Sequence, residues 1–284
     1  MLIGGWFLVA ACQSSPTTAG AAAHAPGGAG GASSAPWSEC QRLFGFPSPR
    51  TGLTADQCGP VCSSCALGAA GATGFTATTF DTADLDALRA HVLDDPPAML
   101  DQDPYSLATP PEEHSSEFCG MIPSTDGHYR LETFETAEQL LAEGAQLTHE
   151  GACGACSSLQ DLAVYVEYPD LTDPVRACAL ESLGEPLETL AACLGDLGFT
   201  EPCAEIWAYN SRHTSEVCLE VCLGALDEPY HLPDGSPNEC IQCDEDQSGP
   251  VFKAVAGRTR RNSGLPTALC RPCTDVVHID HSYP

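Results

Sequence analysis

Apolar side chains return at helical spacing along much of this chain and alternate like a strand in only two short stretches. Leu85, Leu88 and His91 or Val92 share one face of a predicted helix over residues 81–92, which Asp95-Pro96-Pro97 stops. Residues 96–128 are proline-rich, carry a single cysteine (Cys119) and read as irregular chain. Residues 129–134 alternate as a short strand, 136–144 read as a helix and 146–149 as a second short strand. After the turn Cys153-Gly154-Ala155-Cys156, Leu159, Leu162, Ala163 and Val166 fall at i, i+3, i+4 and i+7 of a helix. Asp173 with Pro174 reads as an N-cap and first-turn proline. Leu187, Leu190, Ala191 and Leu194 form the next stripe, Cys203, Ile206 and Trp207 another, and Cys218, Val221 and Cys222 a third. From Pro229 onward the chain reads mostly as loop, around one predicted helix over 251–258.

These elements predict a mainly α, disulfide-rich fold with long loops and at most a few short strands. A loop-rich, cysteine-containing N-terminal part (39–128) is expected to pack on a helical, disulfide-rich core with a loop-rich tail (129–284). Residues 13–36 are Ala, Gly, Ser, Thr and Pro without periodicity, a composition too poor in apolar surface to offset the entropy of ordering. They read as a flexible linker.

Composition changes the picture in two ways. The formal net charge is -28, from 39 acids against 11 bases. Nucleic-acid binders carry a basic footprint, so DNA and RNA are excluded as partners. Seventeen cysteines among 284 residues imply either a disulfide framework or metal sites, depending on the redox compartment.

The N-terminus bears on that choice. A short apolar start (Leu2, Ile3, Trp6, Phe7) leads into Leu8-Val9-Ala10-Ala11-Cys12. That run resembles the lipobox of bacterial lipoprotein precursors, in which a cysteine after small residues is lipidated and becomes the mature N-terminus. The resemblance covers only this run and the linker behind it, and no family is recognised for the rest of the chain. It implies a signal peptide over 1–11 and a lipidated Cys12 opening a linker over 12–38. The folded part would be held outside the cytoplasm, in the bacterial cell envelope, and would touch the membrane through the lipid anchor alone. Without lipidation the same signal would give a secreted protein. Sixteen cysteines then remain, an even number suited to bridges in an oxidising compartment. No later segment approaches the ~18–20 apolar residues of a spanning helix, so a multi-pass membrane protein is not expected.

Four CxxC pairs occur, at Cys62/Cys65, Cys153/Cys156, Cys240/Cys243 and Cys270/Cys273. None precedes a histidine, which removes covalent c-type haem. Cys58, Cys62 and Cys65 have the iron–sulfur spacing of radical-SAM enzymes, whose clusters need a reducing cytosol that an exported chain lacks. Cys240, Cys243, Cys270 and Cys273 could close a tetrahedral zinc site, although outside the cell disulfides are favoured over thiolate ligands. A strand, Cys153-Gly154-Ala155-Cys156 and a helix resemble the active-site corner of thioredoxin-like proteins. That resemblance implies Cys153 as nucleophile, Cys156 as resolving thiol and His149 as an aid to the thiolate. The helices that follow depart from that fold, which favours a structural disulfide. Cys218 and Cys222 stand one helical turn apart, with Cβ atoms ~6 Å apart against the ~3.8 Å of a disulfide, so each should bridge to a different element.

Asp244, Asp246 and Ser248, followed by Gly249, resemble the first half of an EF-hand calcium loop, but Val255 stands where the bidentate glutamate belongs. The competing reading is an acidic turn capping the helix at 251–258. Lys253, Arg258, Arg260, Arg261 and Arg271 concentrate five of the eleven bases. They predict an internal ion-pair hub or, as second choice, a pocket for a small anionic ligand. His278, Asp280 and His281 are further candidate metal ligands. No GxSxG, HExxH, P-loop or dinucleotide fingerprint appears.

The sequence therefore favours a membrane-tethered, disulfide-rich lipoprotein acting as a binding or structural module for a protein or small anionic ligand. No cofactor is required by any motif, and the missing catalytic signature weighs against an enzyme. The alternatives are an extracytoplasmic thiol–disulfide oxidoreductase using Cys153 and Cys156, and a secreted domain binding zinc or calcium.

Overall fold

The computed structural model describes Arg50 and residues 80–168, 170–233, 236–265, 277 and 279–284. Cys12, the stretches read as signal peptide (1–11) and linker (12–38), and Cys58, Cys62, Cys65, Cys270, Arg271, Cys273 and His278 lie outside the described residues. The described chain is mainly helical, with one small sheet and five disulfides.

Helix α1 (Thr82–Ala90) starts at a reciprocal cap. The Asp81 side chain accepts from the Ala83 and Asp84 amides, and the Asp81 amide donates to the Asp84 carboxylate. Strand β1 (Val92–Leu93) then leads to a 3₁₀ turn (Pro104–Ser106) and to β2 (Phe118–Pro123), which falls within the stretch expected to be irregular. In β2, Cys119, Gly120 and Met121 are consecutive buried residues, so the strand shows a short apolar run where a half-buried strand would alternate. Strands β3 (His128–Phe134) and β4 (Gln146–Glu150) complete the sheet in the order β1-β3-β2-β4, with β1–β3 parallel and the rest antiparallel. Between them, α2 (Ala137–Ala142) covers a small cluster of Phe134, Leu140 and Ala145. Gly120 makes room for it, because a Cβ there would meet the Phe134 ring at 2.7 Å.

Six of the remaining helices build the body: α3 (Leu159–Glu167), α4 (Thr172–Glu181), α5 (Leu187–Asp196), α6 (Glu201–Val217), α8 (Glu239–Gln247) and α9 (Gly249–Ala256). A seventh, the short α7 (Leu219–Gly224), buries none of its residues. The core centres on α3, whose Leu159, Leu162, Ala163 and Val164 are fully enclosed against Leu190, Leu194, Phe199 and Ile206.

Two further expectations change at this level. Helix α4 begins one residue before Asp173, which is therefore inside the helix and makes no side-chain cap; Pro174 stays in the first turn. The segment 239–247 is helical although it lacks an apolar stripe. The Asn238 side chain caps it by accepting from the Ile241 amide, and two disulfides hold it.

Candidate functional site

The five bridges reassign the CxxC pairs. Cys153 bonds to Cys119 of β2 and Cys156 to Cys203 of α6, so the two sulfurs of this motif belong to different bridges and are not a dithiol couple. Cys240 and Cys243 bond to Cys222 and Cys218, which leaves neither as a thiolate for zinc. Cys218 and Cys222 thus reach separate partners, as their helical spacing requires. Cys178–Cys193 ties α4 to α5. Such a set of bridges is characteristic of an oxidising, extracytoplasmic environment, and among the described residues no helix is long and apolar enough to cross a membrane.

His149 does not serve Cys153. Its Nδ1 lies 2.8 Å from the Glu150 carbonyl oxygen and must carry the proton there, so Nε2 accepts from the Ser157 hydroxyl at 2.7 Å. Ser157 Oγ in turn accepts from the Gly154 amide. A histidine–serine pair of this kind could activate a nucleophile, but both residues are 0% exposed and no substrate reaches them. Burial, then the nearby Arg258 charge, holds the imidazole well below its ordinary pKa and therefore neutral.

Arg258 is the hub of this corner, though not of ion pairs. Its fully buried guanidinium donates to the carbonyls of Thr148, Cys156 and Ser157 and to Ser263 Oγ. Arg260 donates to the Tyr165 and Tyr168 carbonyls, and burial lowers its pKa to about 10. Lys253 forms an ion pair with Glu245 at 3.0 Å. The carbonyl oxygens win because these arginines sit where β4, α3 and the 153–157 turn leave backbone acceptors without partners of their own.

The half-EF-hand reading changes too. Asp244 and Asp246 lie on α8, where positions two apart diverge around the axis and cannot converge on one ion. Asp244 accepts from Thr214 Oγ1 and Asn210 Nδ2, pinning α8 to α6, and burial raises its pKa. Asp246 is exposed and accepts from Gln242 one turn earlier. Ser248 hydrogen-bonds Thr214 and His213. His281 is buried, with Nε2 donating to the Ser263 carbonyl and Nδ1 accepting from Tyr283. Among the described residues no group of three or more His, Cys, Asp or Glu is placed to hold a metal ion.

What the structure does present is a cleft of about 470 Å³ between α4, α6, α7, α8 and α9. Periodicity did not reveal it, because its walls come from five helices that are distant in sequence. Val175, Ala179, Trp207, Phe252 and Leu265 line it inside, and Leu180, Leu183, Leu219 and Leu223 continue it outward as exposed apolar side chains. Ser211, another wall residue, keeps a buried hydroxyl with no hydrogen-bond partner. At one side Tyr230 donates to Asp170, while Arg50 stacks over the Tyr230 ring and pairs with Asp173. The volume falls in the ~300–1,000 Å³ range of small-molecule sites.

Residues 187–279, which include α5 to α9 and several cleft walls, match a family of unknown function (DUF8771). No curated protein and no solved structure matches the chain.

Proposed function

We propose that this protein is a binding module of the cell envelope, tethered through a lipidated Cys12, whose ligand occupies the cleft between α4 and α6–α9. The observation that carries the reading is the cleft itself: a concave, mostly apolar site whose α4, α6, α7 and α8 walls each carry a disulfide. Large apolar side chains left exposed together mark a binding surface more often than a solvated face. Disulfides would keep such a site open and preformed, lowering the ordering cost of binding. The lipobox-like run and the linker behind it support the tether, and the linker would give the folded part freedom to sample its surroundings.

The test is titration of the purified soluble part with the neutral fluorophore N-phenylnaphthylamine, read by energy transfer from Trp207 in the cleft wall. Saturable one-site binding, abolished when Ala179→Trp fills the cleft, is the expected result. Absence of saturable binding by the wild type, or binding undisturbed by Ala179→Trp, overturns the site. Radiolabelled palmitate incorporation that disappears in Cys12→Ser checks the anchor separately.

A further inference from the structure

We infer that the cleft takes a single-chain amphiphile with a carboxylate head, a fatty acid, its tail against the leucines of α4 and α7 and its head on Arg261. The inference rests on the binding reading above and names the chemical class of its ligand.

Charge distribution points to an anion. Among the described residues the cleft is lined by Arg176, Lys253, Arg260 and Arg261, four of the chain's eleven bases, but by only three of its 39 acids, Asp170, Asp244 and Glu245. In a protein of net charge -28 this is a local inversion, and it occurs on a mostly apolar concave surface.

The partners of these charges single out Arg261. Glu245 is occupied by Lys253. Asp170 accepts from the Tyr230 hydroxyl and the Thr172 amide, and Asp244 from Thr214 and Asn210. None of the three acids is therefore free to receive a cationic ligand. On the basic side Arg176 lies 3.8 Å from Asp173, and Arg260 is spent on backbone carbonyls. Among the described residues the Arg261 side chain meets no carboxylate or carbonyl, while its backbone is fixed: its carbonyl accepts from the Gly264 and Val277 amides. The turn that carries it is bolted to β4 by Asn262, whose side chain donates to the Glu150 and Gly257 carbonyls. A guanidinium on a rigid turn, half-buried and lining an apolar cleft, presents the planar fork that a carboxylate matches with two hydrogen bonds.

The experiment compares lauric acid, dodecanol and dodecylamine, equal in chain length and different in head, by displacement of N-phenylnaphthylamine from wild type and Arg261→Gln at neutral pH and below micelle formation. Lauric acid should bind about tenfold or more tightly than either of the others, the preference expected for hydrogen bonds to a charged group. Arg261→Gln should erase that preference, while the fluorophore still binds and the melting temperature is unchanged. Equal affinity for the three heads, preference for the amine, or a preference that survives Arg261→Gln overturns the fatty-acid assignment and leaves the cleft as an apolar site. Failure of the fluorophore itself to bind removes both readings.

Discussion

Gly154 and Gly257 stand back to back. A Cβ on Gly257 would come within 2.6 Å of the Gly154 amide nitrogen, and one on Gly154 within 2.7 Å of the Gly257 nitrogen. Gly257 also has φ +73°, left-handed backbone at the end of α9. This contact lets the 153–157 turn dock on the end of α9, with the Ala155 and Cys156 amides donating to the Val255 and Ala256 carbonyls. Gly257→Ala combines a strained φ with a backbone collision and should cost about 2 kcal/mol or more; Gly154→Ala, which meets the collision alone, should also destabilise. Urea unfolding of the two variants checks this. A midpoint like the wild type's for Gly257→Ala would show that the two backbones are not in contact.

Arg258 and Arg261 are three residues apart and should behave oppositely. Arg258→Ala leaves three backbone carbonyls and a serine hydroxyl without their buried donor and should destabilise by about 3 kcal/mol or more, since each buried acceptor left unpaired costs about 1–3 kcal/mol. Arg258→Lys should recover little, because an ammonium cannot span acceptors arranged around a planar fork. Arg261→Ala should change stability by no more than about 0.5 kcal/mol. Thermal melts of the three variants decide the matter, and equal losses at both positions would contradict it.

Two buried histidines and one buried carboxyl give acid sensitivity with a definite sign. Burial, then the Arg258 charge, lowers His281 from 6.5 to about 4, and His149 also lies well below 6.5. Each folded-state pKa is depressed, so each contributes stability that is whole above pH ~6.5 and is lost as pH falls toward the folded value. Asp161 acts the other way. Burial raises it from 3.8 to about 6, so its contribution favours the folded state at low pH and is lost as pH rises through that value. Near pH 5, unfolding takes up protons at the histidines and releases one at Asp161, so the histidines make stability rise with pH and Asp161 offsets part of that rise. His281→Gln keeps a donor for the Ser263 carbonyl and should flatten the slope in a pH series of urea melts. An unchanged slope would mean that His281 is protonated when folded.

The bridges can be ranked by the chain they close. Cys156–Cys203 spans 47 residues and Cys178–Cys193 only 15. The loop-entropy account gives about 4 and about 3 kcal/mol respectively, and the first pair is 0% exposed, so its removal also disturbs packing. Paired Cys→Ser variants should melt in that order. Peptide mapping without reduction should join Cys119 to Cys153 and find no Cys153–Cys156 link.

The legible part of the fold was the part in which local pattern and tertiary role coincide. The stripe of Leu159, Leu162 and Ala163 faces the core as its spacing implies, and the alternation at 129–134 became β3. Strand β2 stayed hidden because its apolar run is three residues long and its partners lie downstream in sequence. Helix α8 stayed hidden because Asn210, Thr214 and two disulfides hold it where an apolar face usually would. The basic cluster was visible as composition, but its acceptors are backbone carbonyls supplied by Thr148, Cys156, Ser157, Tyr165 and Tyr168, and side-chain identity says nothing about where carbonyls converge. The cleft was illegible for a related reason. It is a space between helices, and its lining residues look like ordinary members of separate stripes.

Helix α7 buries no side chain, yet two sulfur bonds within five residues fasten it to α8. Covalent attachment here takes the place of a hydrophobic face, which uncouples this wall from the cooperative unit that unfolds with the core. Each α7 bond joins a buried sulfur to a half-buried one, Cys218 to Cys243 and Cys240 to Cys222, whereas both sulfurs of Cys156–Cys203 in the core are wholly enclosed, so a thiol reductant meets the α7 bonds before that core bridge. Breaking those two bonds would free one wall of the cleft while Cys156–Cys203 still ties α6 to the start of α3.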